Sequence, residues 1–203
     1  MKEAKTSSLS AVVLAAGESR RMGAKNKLLL PYKSKAVIAH VVEAILASDV
    51  RQVHVVVGHE QERVREALQS YSVSFVENPD YEQGMGTSIR AGVRHAEEDV
   101  AGYMICLSDL PLITADEYSH LAQAFLAHHQ ASPHAIAVPR FEGQRGNPVT
   151  LSSIYRPAML SHQGIMGCRG IVKQHPEHVH FVDMSTDHVL RDVDTPEAFS
   201  GLP

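Results

Sequence analysis

The stretch Ser10-Ala11-Val12-Val13-Leu14-Ala15-Ala16-Gly17-Glu18-Ser19-Arg20-Arg21-Met22-Gly23 decides the fold. Residues 10–15 form a short apolar run bounded by Gly17, the pattern of a strand buried on both faces. A polar loop follows through Lys27. Within residues 35–48, apolar Val37, Val41, Val42, Ile45 and Leu46 recur at helical spacing, and the β-branched run 53–57 then ends at Gly58. That is one strand, crossover helix, strand unit. The alternation continues with helix 61–69, strand 73–76, helix 88–97, strand 103–107, helix 115–129 and strand 135–138. It predicts an α/β fold of three αβα layers, a mostly parallel sheet covered by helices on both faces.

Further along the chain the pattern is less regular. Residues 139–148 read as a charged, Gly-containing loop, 149–151 as a short strand and 178–184 as a late strand. Thr195-Pro196-Glu197 reads as a helix start, with Thr195 as N-cap and Pro196 in the first turn. No internal repeat or linker interrupts the chain, so residues 1–203 read as a single domain. Its less regular second half reads as a layer added to the same domain.

At 203 residues and 44% hydrophobic content the chain can bury one substantial core. A formal charge of -4 and a pI near 6.3 argue against nucleic acid as a partner, because such affinity comes from a net basic surface. Cys106 and Cys168 have neither CxxC spacing nor a paired framework, which reads as reduced thiols in a cytoplasmic protein. The apolar run behind the polar N-terminal lead is too short to span a bilayer, so no membrane partner is expected and the lead reads as a frayed tail entering a strand.

The chemistry-bearing residues stand at strand ends. Small residues at Ala15, Ala16 and Gly17 let backbone amides approach a ligand at the carboxyl end of a parallel strand. Arg21 and Lys27 supply local positive charge suited to triphosphate oxygens. The loop is neither GxGxxG nor GxxxxGK[ST], so dehydrogenase and P-loop readings drop. Cys106-Leu107-Ser108-Asp109 places a carboxylate just past an apolar strand, and Asp192-Val193-Asp194 places two before the predicted last helix. Taken singly, Asp109 reads as a turn residue, Asp192 as a surface charge and Asp194 as a helix-dipole partner. Taken together, separated aspartates suit magnesium, which prefers hard oxygen ligands and shares them with phosphates. Residues 78–89 form a polar loop leading into a helix capped by Thr87 or Ser88, whose free amides suit a base or phosphate.

These residues carry a resemblance. Leu14 to Gly23 resembles the LAAGxSxRMG signature of the MobA-like NTP transferases, and Lys27-Leu28-Leu29-Leu30-Pro31 is similar to the lysine segment that follows it. Within that group the likeness is nearest to the molybdenum cofactor cytidylyltransferase type. The resemblance implies a nucleotide-diphospho-sugar transferase (Rossmann-like) fold, nucleotide contacts from Leu14, Ala15, Ala16 and Gly17, and phosphate binding by Arg21 and Lys27. Many cytidylyl relatives have the lysine one residue nearer the glycine, so Lys25 is a lesser competitor for the role.

Ser108-Asp109-Leu110-Pro111 resembles the family's GDxP segment with Ser for Gly, and Asp192-Val193-Asp194-Thr195-Pro196 resembles its DIDTPED segment. Asp109 and Asp194 are thereby implied as metal ligands, with Asp192 a less certain neighbour. Asn78-Pro79 through Ser88 resembles NPxxxxGxxxS, which implies base and ribose recognition by Asn78, Gly84 and Ser88. Gly146-Asn147-Pro148 resembles a G[NH]P turn near the acceptor, implying Asn147. A GDxGAR-like segment keeps Gly167 and Arg169 but has Ile165 where aspartate is usual, which leaves the acceptor open.

The implied reaction is magnesium-dependent transfer of CMP from CTP to a phosphorylated acceptor, molybdopterin or the molybdenum cofactor, with release of pyrophosphate. A molybdoenzyme is then a candidate partner. Ala16 favours cytidylyl over guanylyl transfer, since guanylyl relatives tend to have LAGG here. The alternatives are guanylyl transfer, transfer to a sugar or alditol phosphate, and a noncatalytic nucleotide-binding cofactor chaperone. Among the 13 histidines, His128, His129, His175, His178 and His180 read as surface residues, with a zinc site the lesser alternative.

Overall fold

A computed structural model describes residues 8–23, 25–161 and 167–203. Residues 1–7 of the polar lead and the position of Ile165 lie outside the described residues. In chain order the elements are β1 (Leu9–Ala15), β2 (Pro31–Tyr32), β3 (Lys35–Ala36), α1 (Val37–Leu46), β4 (Gln52–Val57), α2 (Gln61–Ala67) and β5 (Ser74–Glu77). Then follow α3 (Met85–His95), β6 (Gly102–Leu107), α4 (Ala115–Ala131), β7 (Ile136–Phe141), β8 (Gln144–Arg145) and β9 (Val149–Ser152). α5 (Arg156–Ser161), α6 (Arg169–Gln174), β10 (Val179–Asp183) and α7 (Pro196–Ser200) complete the chain.

The main sheet runs β10-β7-β9-β6-β1-β4-β5, with β8 paired to β7. β6, β1, β4 and β5 are parallel, as the alternating sequence predicts. β9 lies antiparallel to both β6 and β7, and β10 returns parallel to β7. Because β4 flanks β1 on one side and β6 on the other, strand order reverses at β1, and a crevice opens beyond the carboxyl ends of β1 and β6.

The period of two in the strands sorts their side chains into two cores. Ala11, Val13, Val55, Val57, Met104 and Cys106 pack under α1, α2 and α4, while Val12, Val56, Tyr103 and Ile105 face α3, α5 and α6. This is the three-layer αβα arrangement. Both cysteines are free and buried, and burial pushes the Cys168 thiol up to about 12 and raises that of Cys106 as well. Among the described residues no helix is long and apolar enough to cross a membrane.

α3 positions one wall of the crevice, and it sits close to the sheet through Gly92. A Cβ there would lie 2.3 Å from Val12 Cγ1 and 2.9 Å from Val56 Cγ2, short branched side chains that cannot swing away. Gly92→Ala is therefore expected to destabilise the fold by about 1–3 kcal/mol despite the better helix propensity of alanine, the range for overpacking a dense core. Urea unfolding followed by circular dichroism measures it. Unchanged stability would mean that α3 can lift off the sheet.

Three local expectations need correction. α3 starts at Met85 and not at Ser88, with Gly84 as N-cap at φ 111, so Thr87 and Ser88 lie inside the helix rather than capping it. Glycine adopts that backbone conformation without the Cβ clash other residues meet. Residues 139–148 are not one loop, since β7 runs on to Phe141 and turns into β8 through Glu142 (φ 48) and Gly143 (φ 81). Two consecutive positive-φ residues make the tight turn whose twist suits a hairpin. Pro139 is tolerated in β7 because β9 pairs only with Ile136 and Ala137. α1 begins at Val37, Lys35 and Ala36 being drawn into pairing with Pro31 and Tyr32.

Candidate active site

A cleft of about 500 Å³ lies at the carboxyl ends of β1 and β6. Its floor comes from the loop after β1, where Leu14, Ala16 and Gly17 line it. A Cβ on Gly17 would meet no protein atom within 4 Å and its φ is not positive, so neither packing nor backbone strain calls for glycine there. Ala15 is buried in the core beneath, 1% exposed, and can offer the cleft only backbone. Ser108 Oγ donates to the Leu14 carbonyl at 2.6 Å, stapling the ends of β1 and β6. That is what the serine standing in the glycine position does.

Lys27 is held by its neighbours. Its amide donates to Ser19 Oγ at 3.1 Å, Asn26 accepts from the Leu28 amide at 3.1 Å, and Leu28 is buried in the core. The ammonium is thereby aimed across the cleft, where it donates to Asp109 Oδ2 and, at 2.6 Å, to Asp194 Oδ1. Arg21, largely exposed, donates to Asp194 Oδ2 at 2.6 Å. Lys25 is exposed and makes no ion pair among the described residues. Loop and aspartates, expected to serve phosphate and metal separately, thus grip one another.

The acidic side is built by two segments. Asp109 follows β6 directly, and its main-chain carbonyl accepts from the Val193 amide at 2.9 Å. Val193 is fully buried, so the residues on either side of it, Asp192 and Asp194, turn to the cleft and line it. Thr195 accepts from the Ala198 amide at 3.2 Å and caps α7 behind them, with Pro196 in the first turn as the sequence predicts.

Burial opposes charge on Lys27, but the Asp109 charge and the hydrogen bonds to Asp109 and Asp194 outweigh it and raise its pKa. Burial and then the charges of Asp194 and Asp109 raise the pKa of Asp192. Burial acts the same way on Asp194, yet Lys27 and Arg21 prevail and lower it. Asp109 Oδ1 is buried with no hydrogen-bond partner among the described residues. Asp109, Asp192 and Asp194 line one cleft, and one of them carries a buried oxygen with no partner among the described residues, a donor chemistry that could hold a hard divalent cation.

The opposite wall is α3. Gly84, Met85 and Ser88 line the cleft, and the N-terminus of this helix faces it. Asn78 does not line it. Its Nδ2 donates to Thr87 Oγ1 and Ser88 Oγ, both at 2.9 Å, and its Oδ1 accepts from the Asp80 amide. Asn78 therefore orients Ser88, whose hydroxyl proton stays free to donate into the cleft. Arg169, the first residue of α6, lines both this cleft and an adjoining pocket of about 360 Å³ that contains Asn147. The adjoining pocket is mostly apolar, with Met85, Ile89, Ile105, Leu107 and Val149 in its walls.

Sequence reasoning missed Tyr81, Glu82, Glu18 and Arg20, which also line the cleft. Tyr81 had a faint signal in Gly58. A Cβ at Gly58 would lie 2.7 Å from the Tyr81 ring, so the glycine that ends β4 makes room for this aromatic wall.

A switch-point cleft with a small-residue loop, a fixed lysine and facing aspartates defines a nucleotide-binding α/β transferase. In keeping with that, the fold matches a nucleotidyl transferase from Methanothermobacter thermautotroptrophicus with TM-score 0.79 at 22% identity, over 95% of this chain and 94% of that one. The chain belongs to the MobA-like NTP transferase family, whose model matches residues 11–179, and it is a nucleotidyltransferase of that family. Purine catabolism protein PucB of Bacillus subtilis (strain 168) is 32% identical over 204 residues, covering 94% of both chains. Nicotine blue oxidoreductase of Paenarthrobacter nicotinovorans is 29% identical over 198 residues, covering 93% of both.

Proposed function

We propose that the chain transfers CMP from CTP to a phosphorylated acceptor of the molybdopterin or molybdenum cofactor type, in a magnesium-dependent reaction that releases pyrophosphate. The observation that carries the reading is Lys27 spanning from the β1 loop to both Asp109 and Asp194. The groups suited to phosphate and those suited to metal border one volume. A terminal phosphate oxygen of the acceptor attacks the α-phosphorus of the NTP, and the new P–O bond forms as the bond to pyrophosphate breaks. An ionised phosphate nucleophile needs no general base, so the protein's part is alignment and charge stabilisation.

Asp109 and Asp194 would hold magnesium, with Asp192 beside them. When bound, magnesium would neutralise charge on phosphate oxygens. Lys27, Arg21 and the loop amides around Gly17 would hold the triphosphate, and Ser88 and Tyr81 would face the nucleoside. Arg169 and Asn147 border the adjoining pocket, which suits an acceptor with an apolar ring body and an anionic group.

A screen of NTPs and phosphorylated acceptors for pyrophosphate release tests the proposal. Turnover with CTP and a pterin phosphate is expected, lost on chelation and restored by magnesium. Because one relative carries an oxidoreductase name, the same preparation should be assayed for oxidation of reduced nicotinamide cofactors. Such oxidation, with no pyrophosphate from any NTP, would sink the transferase chemistry.

CTP is expected to be used in preference to GTP. Ala16 lines the cleft yet is only 2% exposed, and its methyl is wedged toward Gly58, behind Tyr81. It therefore limits the depth of the base site mainly through what it supports. Ala16→Gly is expected to narrow the preference in kcat/KM by about 1 kcal/mol, at the low end of what one methyl gives. Competition between labelled CTP and GTP measures this on both proteins. Equal use of the two by the unmodified chain overturns the cytidylyl assignment and leaves the transferase assignment standing.

A further inference from the structure

A second cluster of ligating side chains lies away from the cleft, between α6 and β10. His175, Glu177 and His178 place one donor atom each within 4.8 Å of one another, and among the described residues they are the only such group of three. Along the sequence Glu177 stands between His175 and His178, a partner that the reading of these histidines as surface residues passed over. In the fold, the short 3-10 turn Pro176–His178 sets Glu177 against both rings. None of the three lines the nucleotide cleft.

The distances have the character of ligand spacings. His175 Nδ1 and His178 Nε2 each stand 3.6 Å from Glu177 Oε1, too far for a hydrogen bond. Donors bound at about 2.0–2.1 Å around a tetrahedral zinc lie roughly 3.3–3.4 Å from one another, close to these two separations; the two rings, stacked at 12° with centroids 5.4 Å apart, would rotate for both lone pairs to meet one ion. The site is open to solvent, with side chains 38%, 59% and 26% exposed in chain order.

His178 has an outer partner. Its Nδ1 lies 2.6 Å from the Tyr155 hydroxyl oxygen, which also stands 3.1 Å from the His134 carbonyl. In the tautomer that carries its proton on Nδ1, His178 donates to the phenolic oxygen and its lone pair lies on Nε2, the atom facing Glu177. A ring nitrogen held by an outer partner so that the other can bind metal is the usual support of a histidine ligand. His134 stacks on the outer face of this ring with centroids 4.8 Å apart, limiting its rotation.

From this geometry we infer that His175 Nδ1, Glu177 and His178 Nε2 form a surface site for a borderline divalent ion of the zinc class, with solvent completing the coordination. Imidazole and carboxylate together suit zinc better than magnesium. The ion would fasten the turn between α6, which presents Arg169 to the cleft, and β10. The inference stands apart from the proposed transferase reaction.

The test is calorimetric titration of zinc into the tag-free, chelator-treated full chain at neutral pH, with cobalt as a spectroscopic probe. One equivalent of zinc is expected, with the visible absorption of tetrahedral cobalt. Tm should rise by on the order of 5 °C at zinc a hundredfold above its Kd. His175→Ala and His178→Ala should each weaken binding at least a hundredfold, and Asp109→Ala should leave it unchanged. Tyr155→Phe, removing only the hydroxyl that positions His178, should weaken it about tenfold. Should either alanine variant fail to fold, Glu177→Gln replaces an exposed side chain and should weaken binding by a similar factor. Undiminished zinc binding in the folded His175 and His178 variants, in Glu177→Gln, or its loss with Asp109→Ala, would overturn the site.

Discussion

Asp109→Ala is expected to reduce pyrophosphate release at least a thousandfold while leaving the circular dichroism spectrum unchanged, and Asp194→Ala to do nearly the same. Asp109 is 7% exposed, and its two oxygens have different tasks. Oδ2 meets the Lys27 ammonium, while Oδ1 is buried with no partner among the described residues. An unsatisfied buried carboxylate oxygen costs free energy unless a cation satisfies it in the working state. Truncation to alanine removes a hard ligand and one of the two carboxylates that hold Lys27. The fold should survive, because Lys27 keeps Asp194 and the Asp109 carbonyl still accepts from the Val193 amide. Losses of a hundred- to a thousandfold accompany removal of one preorganised charge-stabilising group, and losing metal affinity adds to that. Asp194→Ala leaves both Arg21 and Lys27 without this partner, so its effect should include a raised KM for the nucleotide. Full turnover by either variant at limiting magnesium would remove that residue from the proposed metal site.

Lys27→Ala should raise the barrier by about 2–4 kcal/mol, the cost of losing a fixed electrostatic contact to the transition state, whereas Lys25→Ala should change turnover little. The structure gives the reason for the contrast. Lys27 opens a short 3-10 turn anchored by buried Leu28 and points inward, while Lys25 is exposed. Stability should also fall in Lys27→Ala, because Asp109, Asp192 and Asp194 then face one another without their shared ammonium. Breaking such a partly buried pair from one side is strongly destabilising. Thermal unfolding separates the two effects, since kcat is measured on the folded fraction. If Lys25→Ala proves the damaging change, the phosphate-binding lysine has been misassigned.

Much of this was legible along the chain, because the local physics there is unambiguous. β1, β4 and β6 are nearly continuous apolar runs that only a strand buried on both faces accommodates, and the helices between them carry a 3.6-residue apolar period. The capping pattern of Thr195 and Pro196 and the family motifs were equally local. Reading failed where a short stretch had two local solutions. The Gly84 to Ser88 stretch offered several capping residues, and the choice fell to the one whose φ of 111 glycine alone accepts readily. Pro139 opened the stretch read as a loop, and pairing instead places it in β7 beyond the reach of β9. Asn78, assigned to the nucleotide by its motif, spends its amide on Thr87 and Ser88, a use that no pattern of spacing discloses.

By itself, then, the sequence determined the layers and the direction of the central strands, since hydrophobic period and turn chemistry act over a few residues. Only the tertiary structure decided that Lys27 meets Asp109, 82 residues away, and Asp194, 167 residues away. It also decided that Asp192 and Asp194 turn together to the cleft because Val193 is buried between them. These are electrostatic contacts between segments that share no local periodicity. Their geometry is set by strand order and burial, which exist only once the sheet has formed.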